Sequence, residues 1–163
     1  MDPVDLIIIG AGTSGIPAAI TAADRGARVV LLEKRDVAGG MLFVSGGQFS
    51  GAGTRLQRAR GIEDTPEQHA DDVMRIAHGK ANRPLVDVSV RQQGPMVDWL
   101  TDLDFEFKPG VPITPFGHET YRLPRTTRGS NGAGRCCASS RKSLRNALRQ
   151  ERLTCDSILA SPG

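Results

Sequence analysis

Hydrophobic residues open the chain in two short runs with a helical pattern between them. Residues 4–9 (VDLIII) are nearly all apolar, which predicts a strand covered on both faces, as in a parallel sheet. Residues 16–26 (IPAAITAADRG) place Pro17 in the first turn, alanines on one face and Gly26 as the stop, and they predict a helix. Residues 27–32 (ARVVLL) predict a second buried strand, which Glu33 ends. Together these segments predict a β-α-β unit.

The middle of the chain carries helical signals. The segment TPEQ at residues 65–68 is typical of a capping box with proline at the first helical position, and it predicts a helix that ends near His78. A second helix is expected from about Pro84, broken or kinked at Gly94-Pro95, with the helical pattern resuming over residues 96–103.

The last third has weaker patterns. Residues 108–134 are rich in proline and glycine and show little periodicity, which predicts a long loop or lid. After it, Ser139 or Ser140 is a candidate cap for a basic helix with Leu144, Leu148 and Leu153 near one face. The sequence shows no internal repeat and no clear linker.

Composition narrows the class of protein. The 163 residues include 39% hydrophobic and 24% charged side chains, which indicates a globular chain with a real core. A net charge of +3 is too small to indicate nucleic acid as a partner. The three cysteines, Cys136, Cys137 and Cys155, match neither a disulfide framework nor a zinc site. With no signal peptide and no run of membrane-spanning length, we expect a cytoplasmic protein without an integral membrane segment.

The turn after the first predicted strand has the spacing Gly10-x-Gly12-x-x-Gly15. In a dinucleotide-binding unit, the first glycine allows the tight turn, the second lets a pyrophosphate approach the backbone, and the third lets the helix pack on the strand. The phosphates would meet the positive end of the helix that starts near Ser14. Glu33 would accept hydrogen bonds from a ribose diol and would repel the 2′-phosphate of NADP. The competing interpretation, a glycine-rich turn in an ordinary α/β protein, is less favoured because strand, helix and acid all stand in the expected order.

From Val4 to Thr54 the sequence closely resembles the FAD-binding domain of the fumarate reductase and succinate dehydrogenase flavoprotein superfamily. That superfamily includes 3-ketosteroid and tricarballylate-type dehydrogenases. The matching pieces are DLIIIGAGTSGIPAAITAADRGARVVLLEK, a Gly-Gly pair at 39–40 and SGG at 45–47. The resemblance implies an α/β Rossmann-like FAD-binding domain, a parallel sheet with helices, followed by the start of an α+β substrate cap domain.

The same resemblance implies which residues contact FAD. Glu33 would hold the adenosine ribose, Met41 and Leu42 would lie beside the ribityl-phosphate side, and residues 45–47 would lie against the isoalloxazine ring. The glycines of residues 39–53 would then provide clearance for a flat ring that meets backbone N–H groups, although Gly46-Gly47 alone also fits a plain hairpin turn. The implied cofactor-binding residues are Gly10, Ala11, Gly12, Thr13, Ser14, Gly15, Glu33, Lys34, Gly40, Met41, Leu42, Ser45, Gly46 and Gly47.

Other chemically capable residues have simpler interpretations. His118, Tyr121 and Arg125 could meet a carboxylate or ketone substrate, but a solvated loop is favoured for them. His69 and His78 are nine residues apart and do not share a helix face, so we predict no metal site. Buried or idle thiols are favoured over redox-active ones for Cys136-Cys137. A solvated face is favoured over contact with an anionic partner for the basic residues Arg141, Lys142, Arg145, Arg149 and Arg152.

The resemblance predicts an FAD-dependent oxidoreductase that dehydrogenates or reduces a C–C bond of a small carboxylate or ketosteroid. Residues 1–107 would be the N-terminal part of the FAD-binding domain, 108–134 a loop or the start of the cap, and 135–163 a basic helix with an unrecognised tail. Catalytic residues cannot be named, because the arginine and histidine groups of the family lie further along. A truncated form is therefore expected, with association through exposed apolar surface. The alternative hypothesis is a non-catalytic nucleotide-binding fragment.

Overall fold

The computed structural model describes residues 3–36, 38–43, 45, 47–114, 120–130 and 153–157. The chain divides into two compact units, Met1–Gly46 with Ala133–Gly163, and Gly47–Gly132. The domain segments 1–107, 108–134 and 135–163 stay predictions.

The first unit contains a three-stranded parallel sheet. Strand β1 (Leu6–Ile9) leads to helix α1 (Gly15–Asp24) and then to strand β2 (Val29–Glu33), so the predicted β-α-β unit is confirmed. Residues Leu6 and Val29 are opposite each other in the parallel β1–β2 pair. The buried side chains are small or aliphatic, and they come from both α1 and β2: Ile16, Ala19, Ile20, Ala23, Val29 and Leu31. Gly26 has φ +92° just beyond α1, which confirms it as the stop.

Strand β1 differs from its prediction in one respect. Burial on both faces was expected, but Ile7 is 59% exposed and Ile9 is 86% exposed. Among the described residues β1 pairs only with β2, since the strand order is β1-β2-β5. The described part of the chain therefore leaves apolar side chains of β1 exposed to solvent.

The third strand of this sheet, β5 (Leu153–Ser157), corrects the prediction for the end of the chain. Leu153 was assigned to one face of a basic helix, but it lies in a strand opposite Val29, with Ser157 opposite Glu33. The spacing of the leucines favours a helix. The segment instead forms a strand because it pairs with the edge of β2, which lies far away in sequence, so no local pattern indicates the pairing. The remainder of the predicted basic helix lies outside the described residues.

The second unit contains strand β3 (Gln48–Ser50), helices α2 (Arg55–Arg58), α3 (Pro66–Ile76) and α4 (Arg83–Asp102), and strand β4 (Thr126–Arg128). The predicted capping box is confirmed, since the Gln68 N–H donates to Thr65 Oγ1 at 3.2 Å and Thr65 N–H donates to the Gln68 side chain. A second capping box, Thr54 with Gln57, starts α2 and was not predicted.

Helix α4 runs as one helix of 20 residues through Pro95, so the alternative of a break at Gly94-Pro95 is wrong. A Cβ atom on Gly94 would lie 2.2 Å from the Ala52 carbonyl oxygen, and one on Gly51 would lie 2.9 Å from the Gln93 carbonyl oxygen. The helix and the segment after β3 therefore meet backbone to backbone. Glycine at both positions allows this close packing. The contact compensates for the poor helical propensity of Gly94 and Pro95.

The predicted loop at 108–134 contains β4, which pairs with β3 in antiparallel fashion, with Phe49 opposite Thr127. An isolated bridge joins Ile113 to Thr126. The β-branched threonines favour a strand. The sequence alone does not predict it, because the partner strand lies more than 70 residues earlier. Among the described helices, none has the length and apolar character needed to cross a bilayer.

Candidate functional site

The turn between β1 and α1 is held by backbone contacts within the first unit. Gly10 has φ +99°, a conformation that side chains rarely adopt, and its N–H donates to the Leu32 carbonyl at 2.7 Å. A Cβ atom on Gly15 would lie 1.8 Å from the Gly10 carbonyl oxygen. Only glycine at these two positions permits the tight turn and the close approach of α1 to it.

Ala11, between the first two glycines, is fully buried and fixed on both sides. Its N–H donates to Glu33 Oε2 at 2.8 Å, and its carbonyl accepts the Gly39 N–H at 2.7 Å. A Cβ atom on Gly40 would approach Gly12 Cα to 3.4 Å. The Gly-Gly pair at 39–40 therefore packs against the first glycine motif.

Gly12 needs glycine neither for a positive φ, as Gly10 does, nor for close contact, as Gly15 does, and nothing lies within 4 Å of the position that its Cβ would take. It lines an open cavity of about 470 Å³. The other lining residues come from the end of β1, the turn and the first turns of α1: Ile8, Ile9, Gly10, Thr13, Ser14, Gly15 and Ala18. The space at Gly12 is where a pyrophosphate would approach the backbone.

The N-terminus of α1 borders this cavity. Ser14 occupies the N-cap position without a side-chain capping hydrogen bond, and the first turn contains no acidic residue. Neither the N-cap side chain nor an acid in the first turn therefore neutralises the positive end of the helix dipole. An anion in the cavity would be stabilised there.

Glu33, at the end of β2, is half-buried beside the turn. Its Oε2 accepts the Ala11 N–H, and its Oε1 accepts the Arg35 N–H at 3.1 Å. These hydrogen bonds lower the pKa of Glu33, so the carboxyl group is ionised at neutral pH. The exposed Lys34 places a positive charge next to it. Each carboxylate oxygen can accept more than one hydrogen bond, so these contacts leave acceptor capacity on both oxygens.

The residues predicted to contact the flavin end of FAD belong partly to the first unit and partly to the second. Residues Gly40–Phe43, which include Leu42, form a short 3-10 helix in the first unit, where Met41 is 73% exposed. Ser45 is also exposed, and its N–H donates to the Met41 carbonyl at 3.1 Å. Gly46 lies outside the described residues. Gly47 belongs to the second unit, has φ +62° and accepts the Gly129 N–H at 3.2 Å.

A buried ionic cluster in the second unit was not predicted. Arg125 is 1% exposed; its Nε and Nη2 donate to both oxygens of Asp64 at 2.6 and 2.7 Å, and its Nη1 donates to Asp72. The solvated loop predicted for Arg125 is therefore wrong, and two carboxylates of the protein itself occupy its guanidinium. Gln57 Nε2 completes the cluster with a bond to Asp64 at 2.8 Å. Nothing in the local sequence pattern pairs these residues, because the ion pairs span 53 and 61 positions.

Two aromatic side chains adjoin this cluster. The rings of His69 and Tyr121 meet edge to face at 5.1 Å, and the Arg125 guanidinium lies 5.5 Å from the centre of the Tyr121 ring. Burial, reinforced by the charge of Arg125, lowers the pKa of His69 to about 4, so the imidazole is neutral at pH 7. His69 Nδ1 has no hydrogen-bond partner among the described residues.

The remaining candidates are not among the residues that form the described site. His118, Cys136, Cys137 and the basic residues of 141–152 lie outside the described residues. Cys155 lies in β5, and His78 follows the end of α3 with φ +48°. Within the described ranges, no group of three or more His, Cys, Asp or Glu residues is arranged to hold a metal ion.

Comparisons with known proteins bear on this site. A family model described as "FAD binding domain" matches residues 5–159. A fumarate reductase (cytochrome) of Shewanella frigidimarina is 38% identical over 134 residues, which cover 82% of this chain and 22% of that protein. A urocanate reductase of Eggerthella lenta is 34% identical over 141 residues, with the same two coverages of 82% and 22%.

One solved structure agrees with the fold over most of the chain. The open conformation of a flavocytochrome c3 fumarate reductase superposes with a TM-score of 0.72 at 27% identity, covering 94% of this chain and 26% of that one. The chain thus spans about a quarter of the length of the relatives that it matches. The match extends through β5, which the sequence interpretation had left as an unrecognised tail.

Proposed function

Because this chain belongs to the FAD binding domain family, we propose that it holds the ADP half of FAD in an oxidoreductase that acts on a C–C bond of a small carboxylate. The family match confirms the predicted FAD-dependent oxidoreductase family, the α/β FAD-binding fold and FAD as the cofactor. The roles of individual residues and the substrate are parts of the proposal.

The observation that carries the proposal is the turn at residues 10–15. Three hydrogen bonds connect it to Leu32, Glu33 and Gly39, and it leaves open space beside Gly12, where a pyrophosphate would approach. The phosphates would lie over Gly12 and against the α1 N-terminus, with Thr13 and Ser14 beside them. The ribose hydroxyls would donate to Glu33.

The flavin end of the cofactor is assigned by the family resemblance. Met41 and Leu42 would lie beside the ribityl-phosphate side, and residues 45–47 would contact the ring. Bound FAD supplies the hydride chemistry in enzymes of this kind, and the protein supplies binding and orientation. The exposed Met41 and Ser45 side chains leave their surroundings accessible to a ligand.

A carboxylate substrate is favoured over a ketosteroid. The two relatives described above are named for fumarate and urocanate, which are both unsaturated carboxylates. A ketosteroid, which the same superfamily resemblance predicts, remains the alternative substrate class. The cytoplasmic location remains a prediction.

The first experiment measures which half of FAD the chain binds. The purified chain is titrated with FAD, and ADP and FMN are added as competitors. We expect ADP to compete and FMN to compete poorly, because the described cavity is the site for the ADP half. Competition by FMN but not by ADP would contradict the assignment of the turn.

The second experiment separates the enzyme from the alternative hypothesis. Reduction of fumarate or urocanate is followed with a reduced dye as the electron donor, with FAD present. Turnover supports an oxidoreductase with a carboxylate substrate. FAD binding without turnover on carboxylates or 3-ketosteroids would favour the non-catalytic nucleotide-binding hypothesis for this chain.

A further inference from the structure

We propose that Glu33 is also a positioning residue, which fixes the glycine turn in its binding conformation before any nucleotide arrives. The inference rests on the proposed function and deepens it. In the expected role, Glu33 acts only on the ribose hydroxyls. In the role proposed here, it acts on the pyrophosphate subsite through the backbone of Ala11.

The carboxylate of Glu33 is engaged by the protein itself. Oε2 accepts the Ala11 N–H at 2.8 Å across 22 residues of sequence, and Oε1 accepts the Arg35 N–H at 3.1 Å. Ala11 is fully buried, so its N–H has no access to water as a substitute partner. A hydrogen bond from a buried N–H to a carboxylate is among the stronger ones in proteins.

These contacts fix two successive peptide groups. The Glu33 bond orients the peptide between Gly10 and Ala11 through its N–H. The bond from Gly39 orients the next peptide through the Ala11 carbonyl. A trans peptide is planar and its N–H points opposite to its C=O, so the Gly12 N–H is directed away from Gly39. Gly12 lines the cavity, and its peptide is therefore oriented without a ligand.

Removal of the carboxylate would leave the Ala11 N–H buried without a partner. Leaving a buried donor unsatisfied is costly, and the turn would relax to reach another acceptor. A ligand would then have to reorder the turn, and its affinity would fall even if it had no ribose hydroxyls. This consequence distinguishes positioning from direct ribose binding.

The test uses ADP and 2′,3′-dideoxy-ADP as probes of the full chain. The variants are Glu33→Ala, Glu33→Gln and the control Asp36→Ala, which removes a charge three residues away. We expect Glu33→Ala to weaken dideoxy-ADP binding about tenfold, the value for loss of one charge-assisted hydrogen bond. Glu33→Gln keeps a carbonyl oxygen and should retain part of the affinity, and Asp36→Ala should not weaken binding.

A second readout does not depend on a ligand. Hydrogen exchange of the Ala11 amide, measured by NMR on the ligand-free chain, should be faster in Glu33→Ala than in wild type, and intermediate in Glu33→Gln. Unchanged Ala11 exchange, or loss of ADP affinity with unchanged dideoxy-ADP affinity, would overturn the positioning role. If the wild-type chain bound neither nucleotide, the proposed function would fail, and the exchange measurement would still decide the inference.

Discussion

Replacement of Arg125 by methionine tests how the second unit is stabilised. The Arg125 side chain is buried, and the side chains of Asp64 and Asp72 that it contacts are fully inaccessible. Methionine approximates the length of arginine but removes the guanidinium and its bonds to both aspartates. Asp64 would remain without a cation, whereas Asp72 would keep its ion pairs with Arg75 at 3.2 Å and Arg122 at 3.3 Å.

The expected cost follows from this geometry. Removing one partner from a buried ion pair typically costs about 3–5 kcal/mol. Arg125 serves two carboxylates, but both keep other partners. Asp64 keeps the Gln57 Nε2 and Thr65 N–H donors, and Asp72 keeps the Arg122 N–H and the two arginine ion pairs. We therefore expect a loss near the lower value, about 3 kcal/mol at pH 7. Domains are often stabilised by only about 5–15 kcal/mol, so this loss would be a large part of the stability of the second unit.

Urea unfolding followed by tryptophan fluorescence measures the change. Trp99 is the chain's one tryptophan and lies in α4, which belongs to the second unit. Arg58→Met is the matched control, because it removes an exposed arginine that pairs with Asp98 at 3.5 Å. An exposed pair of this kind should be worth less than about 1 kcal/mol.

The pH dependence adds a second criterion. In wild type, burial raises the pKa of Asp72, but bonds from Arg125, the Arg122 N–H and Arg75 outweigh that effect, and the pKa is lowered overall. Without the bonds from Arg125 the pKa of Asp72 should rise, so the variant gains stability relative to wild type as Asp72 takes up a proton. We expect the Arg125→Met loss to be largest at neutral pH and to shrink toward pH 4. A loss below 1 kcal/mol at pH 7, or a loss independent of pH, would refute the reasoning.

Three further predictions follow from single features of the structure. The folded state holds the pKa of His69 at about 4, against 6.5 for the free group. Acidification from pH 6.5 to 4 should therefore remove up to about 3 kcal/mol of unfolding free energy. Urea unfolding at both pH values measures this loss, and a His69→Gln variant that kept the same pH dependence would contradict it. Gly12→Val should abolish ADP binding in a titration with an unchanged circular dichroism spectrum, because its side chain would occupy the open space at Gly12; Thr21→Val, exposed on the same unit, is the control that should bind normally. Ile7→Lys should reduce association of the chain in sedimentation velocity, because Ile7 is an exposed apolar residue of β1; an equal effect of Thr21→Lys would show that added charge alone is responsible.

The features predicted correctly are those set by neighbouring residues. The β-α-β unit depends on two apolar runs, a proline in the first helical turn and a glycine stop, all within residues 4–33. The capping box of Thr65 and Gln68 spans four positions, and each side chain bonds to the other's backbone. Such signals connect residues that are only a few positions apart, so they can be interpreted without the tertiary structure.

The features missed depend on partners far away in sequence. Leu153 belongs to a strand because β2 offers an edge, and Arg125 is buried because Asp64 and Asp72 are brought to it by α3 and the segment before it. The local surroundings of Arg125, with a proline before it and threonines after it, are typical of an exposed loop. A buried arginine of this kind has no local pattern that marks it.

The glycines of residues 39–53 show why composition alone cannot assign a cofactor surface. The sequence interpretation attributed them to clearance for a flavin, but a glycine is required equally by a positive φ angle and by close contact of two backbones. Gly51 packs against the Gln93 carbonyl, and Gly40 packs against Gly12. Gly12, in contrast, has an ordinary backbone conformation and empty space beside it. Among the described residues, no contact or backbone angle requires glycine there. A ligand is therefore the proposed reason for it, and the substitution that fills this space is the most direct test of the site.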